Sequence, residues 1–389
     1  MTPAARVAAA AEILDRISSG EPAEKVLTTW ARQNRYAGSG DRAAIRDHVY
    51  DCLRCLRSYA ALGGGDSGRA LVIGALRAAG KDPEEYLTGD RHALSPMTEA
   101  EKAPPPELSS QPRGVRLDCP DWLLPYFDAS LAQPDEALNG LRQRAPVFLR
   151  VNLRKTDAEN AIKALSAEGI SAHRHPLAET ALEVTEGARR IQSSDAYRQG
   201  LVELQDAASQ AVVESLPLKP GMKILDHCAG GGGKTLAMAG QVSGTFHAHD
   251  ADPRRMRDLP ERANRAGVEV ALLETQDVLT KGPFDLVLCD VPCSGSGSWR
   301  RSPEAKWRLT PERLDELTKI QAQILRDASG LVAEGGVLAY ATCSLLSVEN
   351  GEQVDRFVGD HSGWSISSSR QLDLRDGGDG FFIAILKRD

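Results

Sequence analysis

Long apolar runs are missing from this chain: charged residues interrupt every candidate before it reaches the length of a membrane span. The N-terminal "ARVAAAAEILDRI" is broken by Glu12, Asp15 and Arg16, so no signal-peptide core is expected there and the protein reads as cytoplasmic. A disulfide framework is missing too. Seven cysteines, an odd number in 389 residues, read as free thiols in a reducing compartment. Cys52 and Cys55 form a lone CxxC in a helical pattern, without the second pair of ligands that a zinc site needs, and no metal is expected. Overall positive charge is lacking, at a net −7, so the whole chain carries no electrostatic sign of nucleic acid. Residues 1–80 depart from this, with eleven Lys/Arg against eight Asp/Glu. That excess fits a local nucleic-acid patch and fits a solvated helical surface equally well. No internal repeat is found.

What is present divides into three stretches. Residues 3–80 carry Ala-rich amphipathic patterns separated by "SSGEP", "GSGD" and "LGGGDSG", which predicts an all-helical domain. Within it, Gly40–Leu62 reads as one helix capped by Asp41, with Ala44, Ile45, Val49, Leu53 and Leu56 at helical spacing. Gly89–Gly114 is polar and Pro-rich, as in a linker, and Asp118–Leu131 resumes helical character. Pro146–Val184 reads strand, helix, strand, strand, a small α+β unit. From about Leu201 strands and helices alternate, which predicts a doubly wound, mostly parallel sheet with its ligand at the carboxyl ends of the strands. The expected domains are residues 1–140, 141–200 and 201–389. Expected strands in the last are Met222–Asp226, Thr245–His249, Glu269–Leu273, Phe284–Cys289, Val337–Ala341 and Phe381–Leu386.

The segment "ILDHCAGGGGKTLAMAG" (Ile224–Gly240) marks where that ligand sits, and three readings compete for it. A phosphate-binding P-loop would end in Gly233-Lys234-Thr235 but needs a glycine where Cys228 stands. A dinucleotide fingerprint finds Gly230 and Gly232, with Thr235 in place of the third glycine. An S-adenosylmethionine site needs a glycine turn under the methionine and ribose, an acid after the second strand for the ribose hydroxyls, and an acid after the third near the adenine. Asp250 and Asp277 fall there, and Asp226 and Asp290 end two further strands. The acids together with the glycines favour the methyl donor.

Two cysteines follow two strands: Cys293 in "LVLCDVPCSGSG" and Cys343 in "VLAYATCSLL". In a parallel sheet these ends are neighbours. Carbon 5 of a pyrimidine is too weak a nucleophile to accept a methyl group until a thiolate adds to carbon 6. A nearby acid assists at N3, and a base must then remove the carbon-5 proton. Asp290 with the two cysteines supplies this set.

"DHCAGGGGKT", "DVPCSGSG" with the trailing "RRSPEAKW", and "YATCS" followed by "EN" together resemble the NOL1/NOP2/Sun family of RNA cytosine-5 methyltransferases, in its bacterial RsmB (Sun/Fmu) branch. The resemblance spans nearly the whole chain. It implies a Rossmann-like catalytic domain preceded by a NusB-like helical RNA-binding domain and a linker unit beginning at "VFLRVNLRKT". It implies S-adenosyl-L-methionine as cofactor, and RNA, most simply 16S ribosomal RNA, as partner. Carried over by residue, Cys343 becomes the nucleophile and Cys293 the residue that helps release product, with Asp290 and Lys234 beside them. The stretch Cys228, Ala229, Gly230, Gly231, Gly232, Gly233 and Lys234 lines the cofactor, with Asp250, Arg255, Asp277 and Asp290 as further contacts. Where the family usually reads Ala-Pro-Gly-Gly this chain has Gly230–Gly233, which predicts a floppier turn and weaker cofactor binding. Arg300, Arg301, Lys306 and Arg308, four cations in nine residues after the Cys293 turn, are expected to hold RNA phosphates. A transfer-RNA methyltransferase, a DNA-type enzyme and an RNA-binding assembly factor with a vestigial pocket remain open. The DNA enzymes use the PC-motif cysteine as nucleophile and have no need of a second one in TC.

Overall fold

The computed structural model describes residues 1–388, which form two compact units. The first contains residues 1–128, 132–144 and 299–308; the second contains residues 129–131 and 145–298 and the chain from Leu309 onward.

The first unit is helical. Helices Pro3–Ser18, Ala23–Gln33, Ser39–Arg54, Leu56–Gly63 and Gly68–Ala78 enclose a core of Ala10, Ile13, Leu14, Val26, Trp30, Ile45, Val49, Leu71 and Ile73. The single helix expected over Gly40–Leu62 is two helices, because Cys55 leaves helical geometry at φ −114°, ψ 37°. Asp41 caps the start from the third position of the first turn and not from the N-cap itself: its carboxylate accepts from the Gly38 N–H at 3.3 Å and pairs with Arg6 at 2.8 Å. The Pro-rich stretch holds short helical turns at Glu99–Lys102, Leu108–Ser110 and Arg113–Arg116.

The second unit holds two sheets. The smaller is built from β1 (Val147–Val151), β2 (Ser171–Arg174), β3 (Ala181–Glu186) and β4 (Val202–Leu204), in the order β2-β3-β1-β4 with every pair antiparallel. β1 alternates as its sequence dictates. Leu149 and Val151 pack with Ala161 and Leu165 of helix Ala158–Ala167, while Phe148 joins the core under the large sheet. The sequence pattern assigned the β4 residues to the catalytic domain; they pair with β1 instead, Leu149 opposite Leu204 and Val151 opposite Val202.

The larger sheet comprises β5 (Lys223–Asp226), β6 (Thr245–Ala248), β7 (Ala271–Leu272), β8 (Phe284–Asp290), β9 (Val332–Thr342), β10 (Trp364–Leu372) and β11 (Phe381–Arg388), in the order β10-β11-β9-β8-β5-β6-β7. The run from β9 to β7 is parallel, and β11 is antiparallel to both its neighbours. The buried strands alternate between two cores. Leu286 and Leu288 face the helices Ala207–Glu214 and Gly233–Gln241, whereas Val287 and Cys289 face Leu325 and Ala328 of helix Pro311–Ser329. β10 is a strand that the sequence reading missed, since its mostly exposed "SISSSR" carries no hydrophobic alternation. The chain runs outward from β5 through β6 to β7, then returns to lay β8 on the other side of β5. That reversal opens a crevice at the carboxyl ends of β5 and β8, the place where open α/β sheets bind ligands.

Candidate active site

The loop from β5 to helix Gly233–Gln241 enters that crevice. Gly232 precedes the helix at φ +76°, and a Cβ there would lie 2.1 Å from Leu259 Cδ1, so both the turn and the close approach of a neighbouring helix require glycine. Gly230 also has positive φ, +51°. Asp250, just past β6, is buried and aimed at this loop. Its Oδ2 accepts from the Gly230 N–H at 2.9 Å and pairs with Arg255 at 3.0 Å, and its Oδ1 accepts from the Asp252 N–H at 3.0 Å. Asp277 sits half-buried in helix Thr275–Lys281, which follows β7. Cys228 and Ala229 lie partly exposed on the same loop, and burial pushes the Cys228 thiol well up. Beneath the loop, Asp226 accepts from Thr235 Oγ1 at 2.6 Å, while its Oδ1 is buried without a partner. Burial, with the Asp290 charge adding to it, lifts the Asp226 carboxyl to about 7 against the Thr235 hydrogen bond.

β8 and β9 carry the candidate reactive groups. Asp290 lies beside Ala341 in the parallel register, and the Val291 N–H continues the ladder to the Ala341 carbonyl at 3.0 Å. Lys234, in the first turn of helix Gly233–Gln241, reaches across to Asp290 Oδ2 at 2.6 Å and lies over the Phe381 ring at 4.8 Å. Burial works against the Lys234 ammonium, but the Asp290 charge and hydrogen bond outweigh it and hold its pKa above the ordinary value. Beside this pair the sulfurs of Cys293 and Cys343 are 3.4 Å apart. The hydrogen bond from Cys293 lowers the Cys343 pKa against burial, with Lys234 assisting, while the same contact and burial raise Cys293 well above its usual value. Of the two thiols, Cys343 is therefore the one that gives up its proton more readily.

Sequence reasoning gave no role to Glu349, which closes the floor of this site. It is fully buried and accepts four hydrogen bonds: from the Ser294 N–H at 2.8 Å, Ser294 Oγ, Ser344 Oγ, and Gln321 Nε2 at 3.0 Å. Ser294 follows Cys293 and Ser344 follows Cys343, so one carboxylate ties the two cysteine loops together. The "EN" after "YATCS" is its only trace in the sequence.

Residues 213–387 match the family model described as 16S rRNA methyltransferase RsmB/F. Residues 119–191 match that of the RsmF/B-like ferredoxin-like domain. The probable ribosomal RNA small subunit methyltransferase B of Bacillus subtilis (strain 168) is 31% identical over 297 residues, which is 69% of this chain and 66% of that relative. The ribosomal RNA small subunit methyltransferase B of Serratia proteamaculans (strain 568) is 31% identical over 283 residues, with the same coverage. This chain belongs to the RsmB/F methyltransferase family. In fold, the crystal structure of PH0851 superposes with a TM-score of 0.80 at 22% identity, covering 100% of this chain and 99% of that one. The first unit is helical, and the large sheet is the Rossmann-like methyltransferase sheet of the family. The matched part stays just short of two thirds of the curated relatives' length.

S-adenosyl-L-methionine is the family's cofactor, and the site fits it. A glycine cradle that side chains would fill, a buried carboxylate at the second strand and an orphaned carboxylate oxygen beneath the loop suit a ribose and an ammonium group. A bound triphosphate would meet Asp226, Asp250 and Asp290 around one loop, a poor setting for phosphates.

One expectation is corrected. The four cations after the Cys293 turn do not form a surface cluster. The segment Trp299–Arg308 belongs to the helical unit, where Lys306 and Arg300 are 2% and 6% exposed. Lys306 donates to the Arg54 carbonyl at 3.2 Å and lies over the Trp307 ring at 4.5 Å, and Arg54 donates to the Arg300 carbonyl at 2.8 Å. Burial depresses the Lys306 ammonium to about 8. The Lys306 ammonium, the Arg300 carbonyl and the Trp307 indole on the Leu53 carbonyl at 2.7 Å hold the segment against helix Ser39–Arg54, and Glu304 ties it to the start of helix Ala23–Gln33 by accepting from the Ala23 N–H at 2.7 Å. Of the four, Arg301 and Arg308 keep exposed side chains.

Proposed function

We propose that this chain transfers a methyl group from S-adenosyl-L-methionine to carbon 5 of a cytosine in 16S ribosomal RNA, through a covalent bond between Cys343 and carbon 6. The observation that carries the reading is the pair of thiols 3.4 Å apart, beside the Lys234–Asp290 ion pair, at the ends of adjacent parallel strands. The names of the relatives support ribosomal RNA as the substrate class.

The cofactor, when bound, supplies an electrophilic methyl group. Everything else falls to the chain's side chains. Cys343, whose thiolate the Cys293 S–H and Lys234 favour, adds to carbon 6 of the base. Electron density moves through the ring towards N3 and carbon 5. Asp290 faces that charge with the Lys234 proton 2.6 Å behind it, so the pair presents a proton to N3 as addition proceeds. Density at carbon 5 then accepts the methyl group. In the second half a water molecule from solvent, acting as base, takes the carbon-5 proton, the freed electron pair forms the bond between carbons 5 and 6, the bond from carbon 6 to sulfur breaks, and N3 returns its proton to the Asp290–Lys234 pair. Cys343 departs as a thiolate that the neighbouring Cys293 S–H stabilises. Glu349 keeps the two thiols at this separation by holding Ser294 and Ser344.

Methyl transfer from labelled S-adenosyl-L-methionine to 16S ribosomal RNA, transfer RNA and DNA, followed by bisulfite sequencing of any labelled RNA, tests the proposal. A single protected cytosine in 16S ribosomal RNA is expected. Label in transfer RNA alone would move the substrate class, label in DNA would reverse the cysteine roles, and no label on any of them would leave an RNA-binding factor.

A further inference from the structure

Four consecutive glycines fix their own backbone poorly, since each has more conformational freedom to lose on ordering than any other residue. In this loop the fixing comes from outside. Asp250 takes the Gly230 N–H at 2.9 Å. Arg262, on helix Leu259–Ala266, donates its guanidinium to the Gly231 carbonyl. Arg150, buried on β1 of the small sheet, donates to the Gly233 carbonyl at 2.7 Å and to Gln205 Oε1. Arg262 is itself placed by Glu203 of β4, 3.6 Å away, a carboxylate that also holds Arg265 at 2.7 Å. The available space agrees with these contacts. A Cβ added to Gly231 would meet a single neighbour within 4 Å, the Arg262 guanidinium at 2.9 Å. One guanidinium nitrogen of the arginine lies where a side chain at the exposed position 231 would start.

We infer that Arg262, set by Glu203, is a positioning residue of the cofactor site, and that with Arg150 it supplies from outside the stiffness that the four-glycine loop lacks. Because Glu203 and Arg150 lie on the small sheet, that sheet takes part in forming the cofactor site and is more than a linker. A planar guanidinium is well suited to bracing a loop, because it presents several donors in fixed geometry and stays charged when half-buried. This rests on the reading that the loop binds S-adenosyl-L-methionine, and the experiment separates the two.

Calorimetric binding of S-adenosylhomocysteine and amide hydrogen exchange across residues 229–233 are measured on the full-length protein and on R262A, R262K and the double variant R262A/G231P. R262A is expected to raise Kd about tenfold, the loss of one charge-assisted hydrogen bond, and to speed exchange within the loop and nowhere else. R262K keeps a donor and should recover most of the affinity. The double variant should recover it too, because a proline ring takes the vacated space and stiffens a glycine whose φ is not positive. Wild-type affinity and exchange in R262A would overturn the inference, as would equal losses in all three variants. Failure of the unmutated protein to bind S-adenosylhomocysteine would instead overturn the cofactor reading itself.

Discussion

Two cysteines 3.4 Å apart can share one proton, and the neighbours of each decide which one carries the charge. The hydrogen bond from Cys293 lowers Cys343 against burial and the Asp290 charge, with Lys234 assisting, and the same hydrogen bond raises Cys293 together with burial and the Glu349 charge. The variants should therefore differ in kind. Cys343→Ala should give neither methylation nor a covalent RNA species. Cys293→Ala should still form the bond to carbon 6 but release product slowly, so that a protein–RNA adduct appears as a retarded band on a denaturing gel. An adduct from Cys343→Ala alone would reverse the roles, and normal turnover by Cys293→Ala would make it a packing residue. Asp250 belongs to the same scale. Its carboxylate is placed by the Gly230 and Asp252 N–H groups and by Arg255, and retains a lone pair on Oδ1 for a ribose hydroxyl. Asp250→Ala should weaken cofactor binding by at least ~1.5 kcal/mol, read by calorimetry; unchanged affinity would remove Asp250 from the site.

At the scale of elements, two short segments matter more than their length suggests. The start of helix Gly233–Gln241 depends on Gly232, where positive φ coincides with contact against Leu259. Gly232→Ala should cost ~2 kcal/mol or more, from left-handed strain together with overpacking. A lower melting temperature and loss of cofactor binding are expected together, and a variant as stable as the parent would show that the loop relaxes freely. Segment Trp299–Arg308 follows the Cys293 turn in sequence yet folds with the helical unit. If RNA passes this segment, it can meet the exposed charges of Arg301 and Arg308 and not the enclosed ones of Arg300 and Lys306. Charge reversal at Arg301 and Arg308 should lower RNA affinity and flatten its salt dependence. The same reversal at Arg300 and Lys306 should lower the melting temperature. RNA affinity and salt slope unchanged in the first variant would mean that phosphates are held elsewhere.

Across the whole molecule, the sheet reversal places two oppositely perturbed groups side by side in sequence at the end of β5. Asp226 is raised to about 7, chiefly by burial. Its folded pKa exceeds the unfolded value, so its stabilisation is full below about pH 4 and is lost as pH rises through 7. His227 is lowered to about 4, chiefly by burial and then by the stacked His249 ring. Its stabilisation is full above about pH 6.5 and is lost as pH falls through 4. Between those limits the two slopes oppose each other, and their joint effect on stability should be nearly flat. His227→Phe, which keeps a stacked ring and removes a buried nitrogen without a partner, should unmask a melting temperature that falls with rising pH. Asp226→Asn should show the reverse. Parallel profiles for both variants and the parent would mean that neither group carries the shift.

Groups whose meaning is local were legible along the chain. The short continuous apolar run in "FDLVLCD" made β8 a buried strand, and the acids and cysteines just past strand ends were readable because a parallel sheet sends all its carboxyl ends to one side. The glycine run announced a close approach, and its flanking strand and helix gave its place. Whatever depends on partners distant in the chain was settled by folding alone. Glu349 became the tie between two thiol loops because Ser294 and Gln321, 55 and 28 residues away, fold onto it. Arg150 and Arg262 became braces of the glycine loop through contacts 83 and 31 residues apart. Lys306 ceased to be a surface cation because Arg54, 252 residues earlier, supplies its carbonyl. A side chain's type is written at its own position, but its burial and its hydrogen-bond partners are properties of the packed chain, and those fix whether its charge faces solvent, a ligand or a backbone.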